Sequence, residues 1–318
     1  MELFLVHPQG LEPRTLVPKT NVISISPWVH RHYFITFNRE DCYTYHYMKR
    51  ELNGAELAEF IKERQAKAVR GLIQHDGVQP KLAILQTTDD PVINTYVRLK
   101  KRYGDDIQII VDSYTVDGSA IETRIQELNS DESVHGIIVQ LPLEKSLNTD
   151  EILNIVAPEK DVDALGEKAY YDPATPLAIN WLLAGYNIEL RDKKIVLIGR
   201  GKLVGAPLYE QYVKLGYDVT VLDRSSGDLS LEVLNADIVI TATGSPGIVH
   251  SDMLGEEVIV VDAGVASESG KTVGDLDPDV YKRDDLTLTP VKGGVGPLTV
   301  CALFENVITA ARQSLRQD

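Results

Sequence analysis

Residues 195–205 read Ile195-Val196-Leu197-Ile198-Gly199-Arg200-Gly201-Lys202-Leu203-Val204-Gly205. An unbroken run of aliphatic residues predicts a strand buried on both faces of a parallel sheet. The glycines end it, and helical spacing then runs to about Leu215. A strand, a glycine turn and a helix N-terminus together offer backbone N–H donors and close main-chain approach, which the pyrophosphate of a dinucleotide requires. Gly199, Gly201 and Gly205 are spaced one residue wider than G-x-G-x-x-G, a spacing that a purely structural turn would also satisfy. The context favours a nucleotide. The next strand, Val219–Leu222, ends at Asp223, 24 residues after Gly199, where an acid would meet a ribose. A carboxylate there repels a 2′-phosphate, whereas Arg200 and Arg224 offer one guanidinium donors, so the residues argue both ways on NAD against NADP.

Strands follow at Ile238–Ile240 and Val258–Val261, each closed by a small-residue turn, Thr241-Ala242-Thr243-Gly244 and Asp262-Ala263-Gly264. The chain closes with Lys292-Gly293-Gly294-Val295-Gly296-Pro297 and a helix from about Thr299 to Leu315. Upstream, Asn53 and Glu56 read as a helix cap, Lys81–Leu85, Ile107–Asp112 and Val134–Val139 as strands, and the segments around Thr95–Arg102 and Ser119–Leu128 as helices. Strands alternating with helices imply βαβ units and a mostly parallel sheet.

The 318 residues suit about two domains at roughly 150 residues each. Hydrophobic residues make up 43% and charged residues 25%, an ordinary globular balance with material for a sizeable core. The net charge of −15 argues against a nucleic-acid partner and against an anionic membrane surface. No apolar run approaches a membrane span, and the N-terminus lacks a secretory pattern. Two cysteines, Cys42 and Cys301, are too few for a disulfide scaffold and fit a cytoplasmic protein. The first 47 residues differ from the rest: they are charge-balanced and hold four of the seven histidines. Alternation over His32–Phe37 and Cys42–Tyr47 predicts a small hairpin. The segment reads as an appendage, or as sequence ahead of a start at Met48. No histidine spacing makes a metal site, and no metal is expected.

Tyr96 and Lys100 stand i and i+4, on one helix face. By themselves they describe a solvated basic helix. Gln140 follows an apolar strand, at the end where parallel sheets place ligands. Asp161 and Asp163 occupy a loop, where a carboxylate is usually a turn former.

Five motifs nevertheless occur in order: Tyr96-Val97-Arg98-Leu99-Lys100; Val134-His135-Gly136-Ile137-Ile138-Val139-Gln140-Leu141-Pro142-Leu143; Pro158-Glu159-Lys160-Asp161-Val162-Asp163; Gly199-Arg200 with Val204-Gly205 and Pro207; and Gly293-Gly294-Val295-Gly296-Pro297-Leu298-Thr299. Together they resemble the bifunctional methylenetetrahydrofolate dehydrogenase/cyclohydrolase (FolD-type) family, from about Met48 to the C-terminus. The resemblance implies oxidation of 5,10-methylene-tetrahydrofolate with NADP, or alternatively NAD, and hydrolysis of the methenyl product to 10-formyl-tetrahydrofolate. It further implies that Lys100 is the catalytic lysine, Gln140 its partner, Asp163 the carboxylate that holds the pterin and Tyr96 a stacking aromatic. Gly293, Gly294, Pro297 and Thr299 would line the folate site, and Gly199, Arg200, Gly201, Gly205, Asp223 and Arg224 the nucleotide site. A homodimer is implied as well.

Several positions depart from the family pattern. Thr88-Asp89-Asp90-Pro91-Val92-Ile93 replaces Gly-Asp-Asp-Pro-Ala-Ser; Ala164 stands where a glycine ends the KDVDG loop; Ala174 replaces a cysteine; Gly201 replaces a serine; Asp223-Arg224 replaces His-Ser; and Lys292 replaces a proline. None removes a proposed catalytic group. Two other readings remain: an NAD-linked dehydrogenase with little cyclohydrolase activity, and a non-catalytic folate or nucleotide binder. The expected architecture is α/β, two domains flanking a cleft. Residues 48–178 would form a folate-binding domain joined by the last helix, 297–318, and residues 179–296 a Rossmann-like parallel sheet, with 1–47 outside both.

Overall fold

A computed structural model describes residues 50–268 and 271–315, together with four short strands ahead of them. Those strands pair as two antiparallel hairpins, β1 (Phe4–His7) with β2 (Gly10–Pro13) and β3 (Tyr33–Phe37) with β4 (Tyr43–Tyr47). The second is the hairpin that the alternation predicts. The remainder of the expected appendage lies outside the described residues.

The first α/β unit begins with β5 (Arg50–Glu51) and α1 (Gly54–His75). Asn53 caps α1 by accepting the N–H groups of Ala55 and Glu56 at 3.1 and 3.2 Å. There follow β6 (Lys81–Gln86), α2 (Pro91–Ile107), β7 (Ile110–Thr115), α3 (Ile121–Ser130), β8 (Gly136–Val139), α4 (Thr149–Leu153) and α5 (Ala174–Gly185). Helix α2 is longer than its sequence spacing predicts. Pro91 is tolerated in its first turn, and Asp90 Oδ1 accepts the N–H of Ile93 at 3.1 Å. Ile107, expected to open a strand, ends this helix instead, and the chain reverses at Gln108 with φ 64°. The three strands form a parallel sheet in the order β7-β6-β8. Because β6 is central, the winding reverses beside it, and the C-terminal ends of β6 and β8 frame a crevice.

The second unit comprises β9 (Lys194–Ile198), α6 (Gly205–Lys214), β10 (Asp218–Leu222), α7 (Ser230–Leu234), β11 (Ile238–Thr241), β12 (Ile259–Asp262), a small hairpin of β13 (Ala266–Glu268) and β14 (Lys271–Val273), β15 (Thr287–Leu288) and finally α8 (Val295–Ser314). Its six-stranded sheet runs β10-β9-β11-β12-β15-β5, every pair parallel. This is the expected Rossmann-like sheet, with its switch point between β9 and β11. Two details differ from the sequence reading. Strand β5 comes from the N-terminal part of the chain yet forms an edge of this second sheet. The division expected after residue 178 falls inside α5, which packs along α8 through a shared apolar core.

Helix α8 explains how the units are held. It buries Leu298, Cys301, Phe304, Val307, Ile308 and Ala311 on several faces, the pattern of a helix enclosed by protein. It starts at Val295, inside the run expected to be a loop. At roughly 1.5–3 kcal/mol for each large apolar side chain taken from water, this helix fixes the cleft firmly. Lys202 of the glycine turn also reaches Asp150 of α4, Nζ to Oδ1 at 2.5 Å. Both side chains are exposed, so the pair registers the two units more than it stabilises them.

Candidate active site

Gln140 leaves the end of β8, its backbone N–H donating to Leu85 O at 2.8 Å, which puts the side chain at the crevice between β6 and β8. Lys100, two and a half turns into α2, extends to it: Nζ donates to Gln140 Oε1 at 2.7 Å. The Gln140 amide in turn donates to Leu141 O at 3.2 Å, which orients its oxygen toward the lysine. Protein encloses the ammonium, so burial lowers the basicity of Lys100, and the negative charge of Asp163 opposes that shift without cancelling it. Asp163 mirrors this behaviour. Burial raises its pKa, and the charge of Lys100 pulls it back only in part. Burial thus works against both charges, and each charge partly sustains the other.

The loop carrying Asp163 is held from two sides. Ile137 N–H donates to Lys160 O at 2.7 Å, and Gly136 is required for the approach, since a Cβ there would stand 2.9 Å from both Val162 methyls. From the other side, buried Asn306 of α8 donates to Val162 O at 2.9 Å and Asp172 O at 3.0 Å. Asp161 is the turn former of the pair: its carboxylate accepts the N–H groups of Leu165 and Gly166 at 3.4 and 2.8 Å. No described residue occupies the Asp163 carboxylate in this way. Ala164 adopts φ 56°, the left-handed conformation for which the family glycine suits, at a cost of roughly 1–2 kcal/mol for a residue with a Cβ.

Tyr96 lies one turn before Lys100, 39% exposed. The 293–299 segment is placed differently from a simple lining loop. Gly293 has φ 84° and its carbonyl accepts Ala55 N–H at 2.9 Å. A Cβ on Gly294 would meet Thr289 at 3.0 Å, and one on Gly54 would meet Gly294 O at 2.0 Å. These glycines thus serve the packing of the loop on the start of α1, a role the sequence reading did not give them. Gly296 faces open space, Pro297 sits in the first turn of α8, and Thr299 Oγ1 is 3.5 Å from Thr175 Oγ1.

On the facing unit, the glycine turn follows β9. Gly199 has φ 103°, and a Cβ on it would stand 2.7 Å from Ala242 O; one on Gly205 would stand 2.0 Å from Gly199 O. Both must be glycine for the turn to close at the start of α6. A Cβ on Gly201 would meet nothing within 4 Å, so this position is free to face a ligand. The cradle fits a pyrophosphate: bare backbone, a helix N-terminus and open space beside it. Arg200 lies over the Tyr209 ring at 5.7 Å. Asp223 directly follows β10, and its Oδ1 accepts both the N–H and the hydroxyl of Ser225, at 2.8 and 2.5 Å. Those bonds, helped by Arg200, hold its pKa below the ordinary carboxylate value. Arg224 beside it is exposed.

The matched families agree with this geometry. Residues 52–163 match the catalytic domain of tetrahydrofolate dehydrogenase/cyclohydrolase, and residues 173–315 its NAD(P)-binding domain. The chain belongs to the tetrahydrofolate dehydrogenase/cyclohydrolase family. Among its relatives, the bifunctional protein FolD of Lactobacillus acidophilus is 35% identical over 279 residues, covering 84% of this chain and 98% of the relative. The crystal structure of the FolD enzyme from Campylobacter jejuni superposes with a TM-score of 0.78 at 35% identity, over 83% of this chain and 99% of that one. The Trypanosoma brucei FolD structure, a complex with NADP cofactor and inhibitor, gives 0.79 at 29% identity over 85% and 99%. Among the described residues no helix is long and apolar enough to cross a membrane.

Proposed function

We propose that this protein oxidises 5,10-methylene-tetrahydrofolate to the methenyl form with NAD(P)+ and hydrolyses that product to 10-formyl-tetrahydrofolate in the same cleft. The observation that carries the reading is the Lys100–Gln140 pair, 2.7 Å apart, with Lys100 coupled electrostatically to the buried Asp163 carboxylate.

In this reading Asp163 accepts hydrogen bonds from the amino group and ring N–H of the pterin, a two-point grip that fixes the ring. The Tyr96 ring packs against the flat aminobenzoyl group. Gly199, Arg200, Gly201 and Gly205 hold the pyrophosphate, and Asp223 and Arg224 meet the adenosine ribose. When bound, the dinucleotide supplies the acceptor for the hydride that leaves the methylene carbon. For the second reaction Lys100 acts on water. Its lowered basicity favours the free amine, which takes a proton as the water oxygen adds to the methenyl carbon; the ammonium so formed returns that proton to the ring nitrogen as the ring C–N bond breaks, and the adduct's hydroxyl proton leaves to solvent to give the formyl group on the other nitrogen. Gln140 suits this role because a neutral amide aims the amine without a negative charge that would keep it protonated. The two reactions share one cleft because the product of the first is the substrate of the second.

The folate half would lie within about residues 48–178 plus the last helix, and the dinucleotide half within about 179–296. A homodimer in the cytoplasm completes the proposal, on the family resemblance and on a buried, unpaired Cys301; light scattering of the purified protein reads the dimer. The activity is tested by incubating the protein with 5,10-methylene-tetrahydrofolate and each nicotinamide dinucleotide in turn. Appearance of methenyl- and then formyl-tetrahydrofolate is expected; an unchanged substrate with both dinucleotides would defeat the proposal.

A further inference from the structure

Two carboxylates of the second unit lie together at the C-terminal rim of its sheet. Asp275 is fully buried, and it accepts three hydrogen bonds from one loop: Thr241 Oγ1 to Oδ2 at 2.6 Å, Thr243 N–H to Oδ2 at 2.7 Å and Ser245 N–H to Oδ1 at 2.9 Å. Thr241 is buried as well. Asp262, at the end of β12, holds Asp275 in place from the other side, accepting the N–H groups of Asp275 and Leu276 at 3.0 and 3.2 Å and that of Gly264 at 2.9 Å. The fit leaves no slack. A Cβ on Gly264 would lie 2.1 Å from the Asp275 carboxylate, and one on Gly274 2.0 Å from Asp262 Oδ2. Three segments that are separate in sequence, 241–245, 262–264 and 274–276, are thereby locked together by two acids.

Strand order says what this lock would serve. The glycine turn follows β9, and the ribose-side acid follows β10 on one flank of it. A dinucleotide whose pyrophosphate sits over the turn and whose adenosine lies over β10 must extend its other half across β11 and β12. The loop after β11 packs against the turn itself, since a Cβ on Gly199 would stand only 2.7 Å from Ala242 O.

We propose that Asp275 is a positioning residue for the nicotinamide half of the dinucleotide: it fixes the 241–245 loop against which that half rests, and Asp262 fixes Asp275. The inference rests on the reading of the chain as an NAD(P)-linked dehydrogenase. An acid is suited to this task because two backbone N–H groups and a hydroxyl converge on it, and only an ionised carboxylate accepts all three without offering a donor of its own.

The test is Asp275→Asn in the full chain, with two readouts. Fluorescence titration should show NADPH or NADH binding weakened by about 10- to 100-fold, the effect of turning one charge-assisted acceptor into a donor. Hydrolysis of methenyl-tetrahydrofolate, which needs no dinucleotide, should keep its kcat and KM within about twofold. Dinucleotide binding within twofold of the parent, or an equal loss of binding and hydrolysis, would overturn the inference. Thr241→Val, which removes one donor and keeps the shape, decides the matter if the Asn variant fails to fold. It should weaken dinucleotide binding by about threefold or more, and unchanged binding would again overturn the inference. A parent protein that binds no dinucleotide defeats the proposed function instead, so the two failures are distinct.

Discussion

Replacing Lys100 by Met removes one nitrogen and its proton chemistry while keeping nearly the same length and volume. The structure sets the size of the effect. Lys100 Nζ is held 2.7 Å from Gln140 Oε1, and burial dominates its basicity. A positioned acid–base group typically contributes 10²- to 10⁴-fold, or about 2.7–5.4 kcal/mol of barrier at about 1.36 kcal/mol per factor of ten. Cyclohydrolase kcat should fall by that amount. Stability should change little, within about 1 kcal/mol, because Gln140 keeps access to water at the cleft and the Met methylenes refill the space. Dinucleotide affinity should be unchanged, since the glycine turn belongs to the opposite unit. The assay is the disappearance of methenyl-tetrahydrofolate by absorbance in single turnover, beside a dinucleotide titration and a denaturation curve. A Lys100→Met protein that hydrolyses methenyl-tetrahydrofolate within tenfold of the parent, with fold and affinity intact, would refute the assignment of Lys100 as base.

Three further outcomes follow from the same geometry. Cyclohydrolase activity should rise with pH as Lys100 loses its proton, with a midpoint below the 10.5 of an ordinary lysine; Gln140→Glu should move that midpoint upward, because a carboxylate at hydrogen-bond distance favours the ammonium, and a pH–rate profile reads the shift. Gly205→Ala should weaken dinucleotide binding at least 100-fold, because its methyl would meet Gly199 O at 2.0 Å, whereas Gly201→Ser should bind as tightly or more so, its hydroxyl entering open space; fluorescence titration separates the two. Asp223→Ser should raise the kcat/KM ratio of NADP to NAD by removing a charge that repels a 2′-phosphate, and steady-state kinetics with both cofactors checks it.

What the sequence revealed, and what it hid, divides along physical lines. The aliphatic runs before Gly199 and Gln140 predict buried parallel strands because period and β-branching are local properties, and both strands are present. The Asn53 cap and the 32–47 hairpin are local in the same sense. The ends of α2 and α8 are misjudged because Pro91, Gly296 and Pro297 read as loop residues, although a helix tolerates them in its first turn. Helix α5 carries no polar period, since it is apolar on most faces and enclosed by protein. The two-residue β5 has no pattern of its own and exists only because Leu286 O and Leu288 O await partners, accepting Arg50 and Leu52 N–H at 3.1 and 2.8 Å. In the site, Lys100, Gln140 and Asp163 were legible only through motifs that resemble a family. Their meeting is a tertiary fact. Asp275, Asn306 and the Gly54–Gly294 contact left no one-dimensional signal, because their partners lie far along the chain.

Hydrolysis in this cleft turns on the protonation of one side chain. Lysine side chains labelled with ¹³C at Cε can be titrated by NMR in the whole protein, with the Lys100 signal assigned from Lys100→Met. Lys100 should titrate below 10.5, and lower still in Asp163→Asn, where the charge that opposes the shift is gone. A Lys100 signal that titrates at or above 10.5, and does not respond to Asp163, would contradict the claim that this cleft readies a free amine.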